Sequence, residues 1–461
     1  MLSAYADTTR GWLGLVWVRS GFTDQPTTLF KRLINRFGDA THADQAQTRF
    51  SVKPKFRLCA PRVLAMSLAE AANDRKAVPD FLRLVGADLW AARLADLGRR
   101  AQAGAFLGRA TQHRHALEFA LARAARGTAQ GSAERRALGF AAEAVRLAKG
   151  LPEARRERLR AAITNGLSGE ATLIPLFHLL RSAALYRAQG FEVRFTGLAE
   201  DSAHDLTISR GGAVAEVVCE TISAEEGRPV QRGHWYALMD SVNPELQTWL
   251  AAHPGRYVLR MTLPDGLSGP DKAAELQRRI MAMLAAEKRQ DSSADAVLKL
   301  DPLVLAGAQA DPLPGRLRQQ FGPEAHLAVT GDPAGGSVFV LAARAGQENS
   351  ISDAVAARMA SAAAERLSGA KPGIVSVFIE DMDRAEWRSL RDELALEGAV
   401  RRFLAGHAAR RVVAAAWSSR AELFGLAPPD AVTGGELRFR SPSHPAAKSA
   451  ALAPAILSTA E

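Results

Sequence analysis

Asp205 and Glu216 are the residues of this chain whose type and spacing could do chemistry. Asp205 opens a short run, Asp205-Leu206-Thr207-Ile208, and Glu216 sits in the next, Ala213 to Glu220, with Arg210-Gly211-Gly212 between them. Two glycines between alternating apolar runs signal a hairpin. The hairpin would bring both carboxylates to one end of a sheet. Carboxylates held close repel unless a divalent cation lies between them. Mg²⁺ or Mn²⁺ takes oxygen ligands and keeps several waters, so two or three carboxylates suffice. Such a metal orients a water and stabilises charge on a phosphate during hydrolysis. Because strand side chains alternate, Glu216, Val218 and Glu220 share a face, which makes Glu220 a further candidate acid.

The surrounding elements fit this placement. Leu176–Gln189 reads as a helix, with Pro175 near its first turn and Gly190 just past its end. Phe191–Phe195 alternates as a strand before the two acid-bearing runs, residues 234–252 read as a helix, and Tyr257–Met261 as a strand. The order is helix, strand, Asp-bearing strand, hairpin, Glu-bearing strand, helix, strand.

That order, with Gly190-Phe191-Glu192-Val193, His204-Asp205-Leu206-Thr207-Ile208 and Glu216-Val217-Val218-Cys219-Glu220, resembles the PD-(D/E)xK nuclease superfamily. The resemblance covers about a fifth of the chain, roughly residues 170–264. It implies a restriction-endonuclease-like core in which Glu170 matches the acid of the first helix, Asp205 the strand Asp and Glu216 the Glu of the next strand. These three would bind Mg²⁺ or Mn²⁺ and cut nucleic acid as a phosphodiesterase. The family's lysine falls at Val218, which can neither bind metal nor polarise water. No lysine occurs between Lys149 and Lys272, so a basic role passes to arginine, with Arg181, Arg187, Arg228 and Arg232 the candidates. Arginine stays protonated and is a poor base, but it clamps phosphate. The implied alternatives are a metal-dependent nuclease that binds or cleaves DNA, and a non-enzymatic interaction or assembly protein that kept the fold.

The rest of the chain supplies the frame. Residues 1–65 show no sustained period and read as a flexible extension, one that a start at Met66 would omit. Residues 66–168 carry helical spacing and suggest three or four antiparallel helices. Residues 169–425 form the expected α/β domain, a mixed sheet with flanking helices, with an insertion near 265–325. The C-terminal strand–helix units are expected to extend that sheet and give the strand at 257–261 its neighbours. Residues 426–461, rich in Ala, Ser and Pro, are expected to be disordered. Glu380-Asp381-Met382-Asp383 is better suited to capping the next helix than to holding metal. His234-Trp235-Tyr236 and Cys219 suit a core, and His113 and His115 do not share a helical face.

Composition narrows the class. A net charge of +10, carried mostly by arginine, suits a nucleic-acid partner and also a merely arginine-rich surface. Two cysteines, Cys59 and Cys219, exclude a disulfide framework and a thiolate-rich zinc site, and suit a cytoplasmic protein. No apolar run of about 18 residues suggests a membrane span. The sequence gives no oligomeric state.

Overall fold

A computed structural model describes residues 76–127, 131–304, 313–322, 324–331, 336–421 and 435–459. The expected extension at 1–65 lies outside them. Among the described residues, six helices precede residue 169, rather than three or four. They are α1 (Ala77–Val85), α2 (Ala87–Gln102), α3 (Ala105–Arg114), α4 (Ala116–Ala125), α5 (Ser132–Gly150) and α6 (Glu153–Gly166). Helix α7 (Ile174–Ala188) follows, then β1 (Glu192–Arg194), the short α8 (Thr196–Ala199), β2 (Leu206–Arg210) and β3 (Ala213–Ser223). Beyond β3 the chain forms α9 (Arg232–Ala252), β4 (Arg256–Leu263), α10 (Pro270–Ala285), β5 (Gln290–Ser292), β6 (Val297–Pro302), α11 (Leu313–Phe321), β7 (His326–Gly331) and β8 (Val338–Ala345). It continues with α12 (Ile351–Arg366), β9 (Gly373–Glu380), α13 (Arg384–Asp392), α14 (Ala395–Ala405), β10 (Val412–Ser419), β11 (Leu437–Arg440) and α15 (Ala453–Ile456).

Two mixed sheets result among the described residues, so the α/β class holds. The first runs β1-β2-β3-β9-β10-β11, with β3, β9 and β10 parallel and the outer strands antiparallel to their neighbours. Every residue of β9 and β10 is buried. Parallel strands covered on both faces read as near-continuous apolar runs, broken here by Ser376, Glu380, Ser418 and Ser419. One face packs on α7 and the N-terminal helices, where Phe81, Phe140, Phe177 and Phe378 form a chain of ring contacts at 5.4, 6.0 and 6.3 Å. The helical segment therefore shares a core with the sheet. The other face packs on α12, α13 and α14.

The second sheet runs β5-β6-β4-β8-β7. The strand at 257–261 belongs to it, paired with β6 and β8, while β9 and β10 do extend the first sheet. The insertion is therefore larger than the expected 265–325 and spans about 228–350. Its two ends meet: the Ser350 amide donates to the Gly227 carbonyl at 2.8 Å. A Cβ on Gly227 would lie 2.4 Å from the Ile351 Cα, so glycine permits this crossing of the chain. The C-terminal segment also departs from expectation. Residues 435–459 are ordered because β11 pairs with β10, and Leu452, Ala455 and Ile456 are buried in the first core.

Within that core His178 on α7 is fully buried, its Nε2–H donating to the Ser376 carbonyl at 3.0 Å and its ring against Phe378. Burial pushes its pKa down to about 4. A depressed folded-state value means the stabilisation is present above the unfolded value near 6.5 and is lost as pH falls toward 4. His178→Gln should flatten the fall in stability over that window by up to roughly 3 kcal/mol, read from urea midpoints at successive pH values. An unchanged slope would contradict it.

Candidate functional site

The β2–β3 hairpin turns on Gly211 and Gly212, with φ of 54° and 79°. Two successive positive φ values suit the primed turns that match strand twist, and glycine supplies them without strain. The turn fixes the register Leu206↔Val217 and Thr207↔Glu216, so Asp205 stands opposite Val218. Leu206 and Val217 enter the core shared with α7, whereas Val218 enters the core under α12. Asp205, Glu216, Val218 and Glu220 accordingly lie on the α12 face.

Asp205 and Glu220 are brought together, and the group between them is Arg366, the last residue of α12. Arg366 Nη2 donates to Asp205 Oδ1 at 2.7 Å, Nη1 donates to Glu220 Oε1, and Nε donates to the Ala203 carbonyl at 2.9 Å. The other Asp205 oxygen accepts the Cys219 amide at 2.7 Å. The other Glu220 oxygen accepts from Arg358 Nε, two helical turns earlier on α12, at 3.3 Å. Burial pushes the Asp205 carboxyl upward, Arg366 and the Cys219 amide pull it back, and the net shift is upward. Burial also works against the charge on Arg366, but Asp205 and Glu220 outweigh it and raise its pKa.

Glu216 points to a different partner. It is buried, and its two oxygens accept from the Ser368 amide at 2.9 Å and the Ser368 hydroxyl at 2.6 Å. Glu170 does not join the other acids. It precedes α7, is exposed and pairs with Arg100. Its neighbour Thr172 bonds Glu380, which stands beside Ser223 at the far end of β3. That is five residues beyond Val218, or about 17 Å along the strand. Among the described residues, no group of three or more His, Cys, Asp or Glu is placed to hold a metal ion.

The four arginines singled out from sequence are each paired with a carboxylate. Arg181 pairs with Glu436 at 3.3 Å and Arg187 with Glu143 at 3.0 Å. Arg228, its side chain 1% exposed, is clamped by Glu225 and Glu386, and Arg232 binds Asp383 at 2.7 Å and Glu386 at 3.1 Å. From these positions a phosphate would have to displace a carboxylate. Asp383 caps α13 in a reciprocal capping box with Glu386, as its position at the helix start implied, and Trp235 is core. Sequence reading missed Arg366, Arg358 and Ser368. Their only signal is a basic pair eight residues apart on one helical face, some 140–160 residues from the carboxylates.

The chain matches no family model, and neither a curated protein nor a solved structure matches it. No helix among the described residues is long and apolar enough to cross a membrane.

Removing one member of a partly buried ion-pair set leaves charges unsatisfied. Arg366→Met should destabilise the fold at pH 7 by about 1–3 kcal/mol, and the loss should shrink as pH drops and the freed carboxylates take up protons. Denaturant melts of both proteins at pH 7 and pH 5 check this; a cost that does not change with pH would contradict it.

Proposed function

We propose that this chain is a nucleic-acid-binding protein with a restriction-endonuclease-like core and a carboxylate centre closed by arginine, so that it binds without cutting. The single observation that carries the reading is Arg366 bridging Asp205 and Glu220. A divalent cation needs free carboxylate oxygens. Here both Asp205 oxygens and both Glu220 oxygens already accept hydrogen bonds, as do both oxygens of Glu216. These residues do not fit a metal as they stand, and Val218 supplies no general base or acid. The likeness of the core rests on the order α7, β1, β2, β3, α12, β9, with the second sheet inserted between β3 and α12.

The partner half of the proposal is supported by charge. On the face of the second sheet away from α9 and α10, part of which is covered by α11 through Leu317, Arg260 on β4 and Lys299 on β6 stand directly opposite in register, with the Arg260 guanidinium 5.8 Å from the centroid of the Phe321 ring. Their side chains are 51% and 58% exposed, and they share Asp301 at 3.7 Å each. Like charges directly opposite destabilise a sheet. A polyanion laid against the exposed part of that face adds to the partial neutralisation by Asp301, and phosphate contacts of this kind are independent of base sequence. Arg256 is exposed on the same face.

Fluorescence anisotropy with a labelled DNA duplex at low salt tests both halves together. The protein should bind, and Arg260→Glu with Lys299→Glu should weaken binding by about tenfold or more and lower the salt slope by about 2. The same mixtures with Mn²⁺ should show no cleavage above that of Asp205→Ala. Failure to bind any duplex would overturn the partner, and Mn²⁺-dependent cleavage lost in Asp205→Ala would overturn the closed centre.

A further inference from the structure

A cavity of about 320 Å³ opens where α14 ends and β10 begins. Its lining includes His407, Arg410, Ser441, Ser443 and His444, and no aspartate or glutamate. The two sides are held together by the Ser441 amide, which donates to the Val413 carbonyl at 2.9 Å. His444 Nδ1 accepts the Ala446 amide at 3.1 Å. That bond fixes the neutral tautomer with its proton on Nε2, leaving Nε2–H as a donor. Arg410 forms no ion pair among the described residues, in contrast to Arg181, Arg187, Arg228 and Arg232. A guanidinium, two imidazoles and two hydroxyls around one recess, with no carboxylate in its wall, make a donor-rich, electropositive pocket. The size suits a small group rather than a large apolar ligand.

We infer that this recess is an oxyanion site that takes a phosphate group, with Arg410 as the fixed charge. Charge-assisted hydrogen bonds from guanidinium to phosphate are the strong ones, and bidentate geometry adds selectivity. The site stands at the same end of the first sheet as Glu216. Gly373 on β9 is paired with Glu216 on one side and Val412 on the other, two residues after Arg410. Two strand spacings make about 10 Å. Arg411 ties the two regions together by donating to the Leu367 carbonyl, one residue beyond Arg366, at 2.8 Å. The phosphate comes either from a free or terminal phosphomonoester or from a polynucleotide backbone. The inference does not depend on whether the carboxylate centre is closed or on which face binds DNA.

The test follows histidine ring resonances of the full chain by NMR. The probes are inorganic phosphate and, separately, a short single-stranded oligonucleotide without terminal phosphate, with sodium chloride at matched ionic strength as the reference. The resonances of His444 and His407, assigned by His444→Gln and His407→Gln, should shift saturably. Arg410→Gln, an exposed change, should weaken the response by about tenfold or more. Saturation with inorganic phosphate identifies a monoester site, and saturation with the oligonucleotide alone identifies a backbone contact; either supports the inference. A response equal to that of chloride for both probes, or one unchanged in Arg410→Gln, would overturn it.

Discussion

Arg366 is the interaction on which the centre depends. One guanidinium neutralises Asp205 from β2 and Glu220 from β3 and also reaches the Ala203 carbonyl. In doing so it docks the end of α12 onto the hairpin. The next residues continue the lock, because Ser368 satisfies both oxygens of buried Glu216. The helix that returns the chain from the insertion is thus fixed at its exit by three carboxylates, while Val355 and Met359 pack it on the apolar part of the same face. A buried ion pair is weak evidence for net stability, since desolvation opposes it. It is much stronger evidence for register: an α12 shifted by one residue would leave three partly buried carboxylates without partners.

This arrangement lets a whole second sheet sit between two elements of the first. The chain departs after Ser223 and comes back at Ile351, and its departing turn packs against the start of α12 closely enough to require Gly227. The first sheet keeps its parallel pairing of β3 with β9 because the intervening 149 residues, 224–372, leave at the Ser223 end of β3 and, by way of α12, re-enter at the opposite end, at Gly373. Charges at that junction are paired densely. Arg228 and Arg232 hold Glu225, Asp383 and Glu386, and Arg114 holds Asp381 at 2.6 Å. Three stretches otherwise distant in sequence, around residues 114, 225–232 and 381–386, are therefore joined through arginine.

Much of this was legible from local pattern. The glycine pair and the period-two alternation place Asp205, Glu216 and Glu220 on one face, because both signals are local and the hairpin register leaves no freedom. The capping by Asp383 was legible for the same reason. The sheet to which residues 257–261 belong was not: an apolar alternating strand reads the same whichever neighbours it pairs with. The C-terminal strand was hidden by a composition of Ala, Ser and Pro, although four residues, Leu437–Arg440, suffice to pair with β10. Arginine content could not distinguish paired from free side chains. Arg366 was invisible because its partners are some 150 residues away, and nothing about an arginine near a helix end marks it as the counter-ion of a particular carboxylate.

The measurement that tests the closed centre most directly is calorimetric titration of Mn²⁺ into the full chain beside Asp205→Ala and Arg366→Gln. The account predicts no saturable heat for the parent protein or for Asp205→Ala, and saturable uptake once Arg366→Gln frees the two carboxylates. Saturable binding by the parent that Asp205→Ala abolishes would contradict it, because Arg366 would then be a group that yields its place to a metal rather than one that holds it.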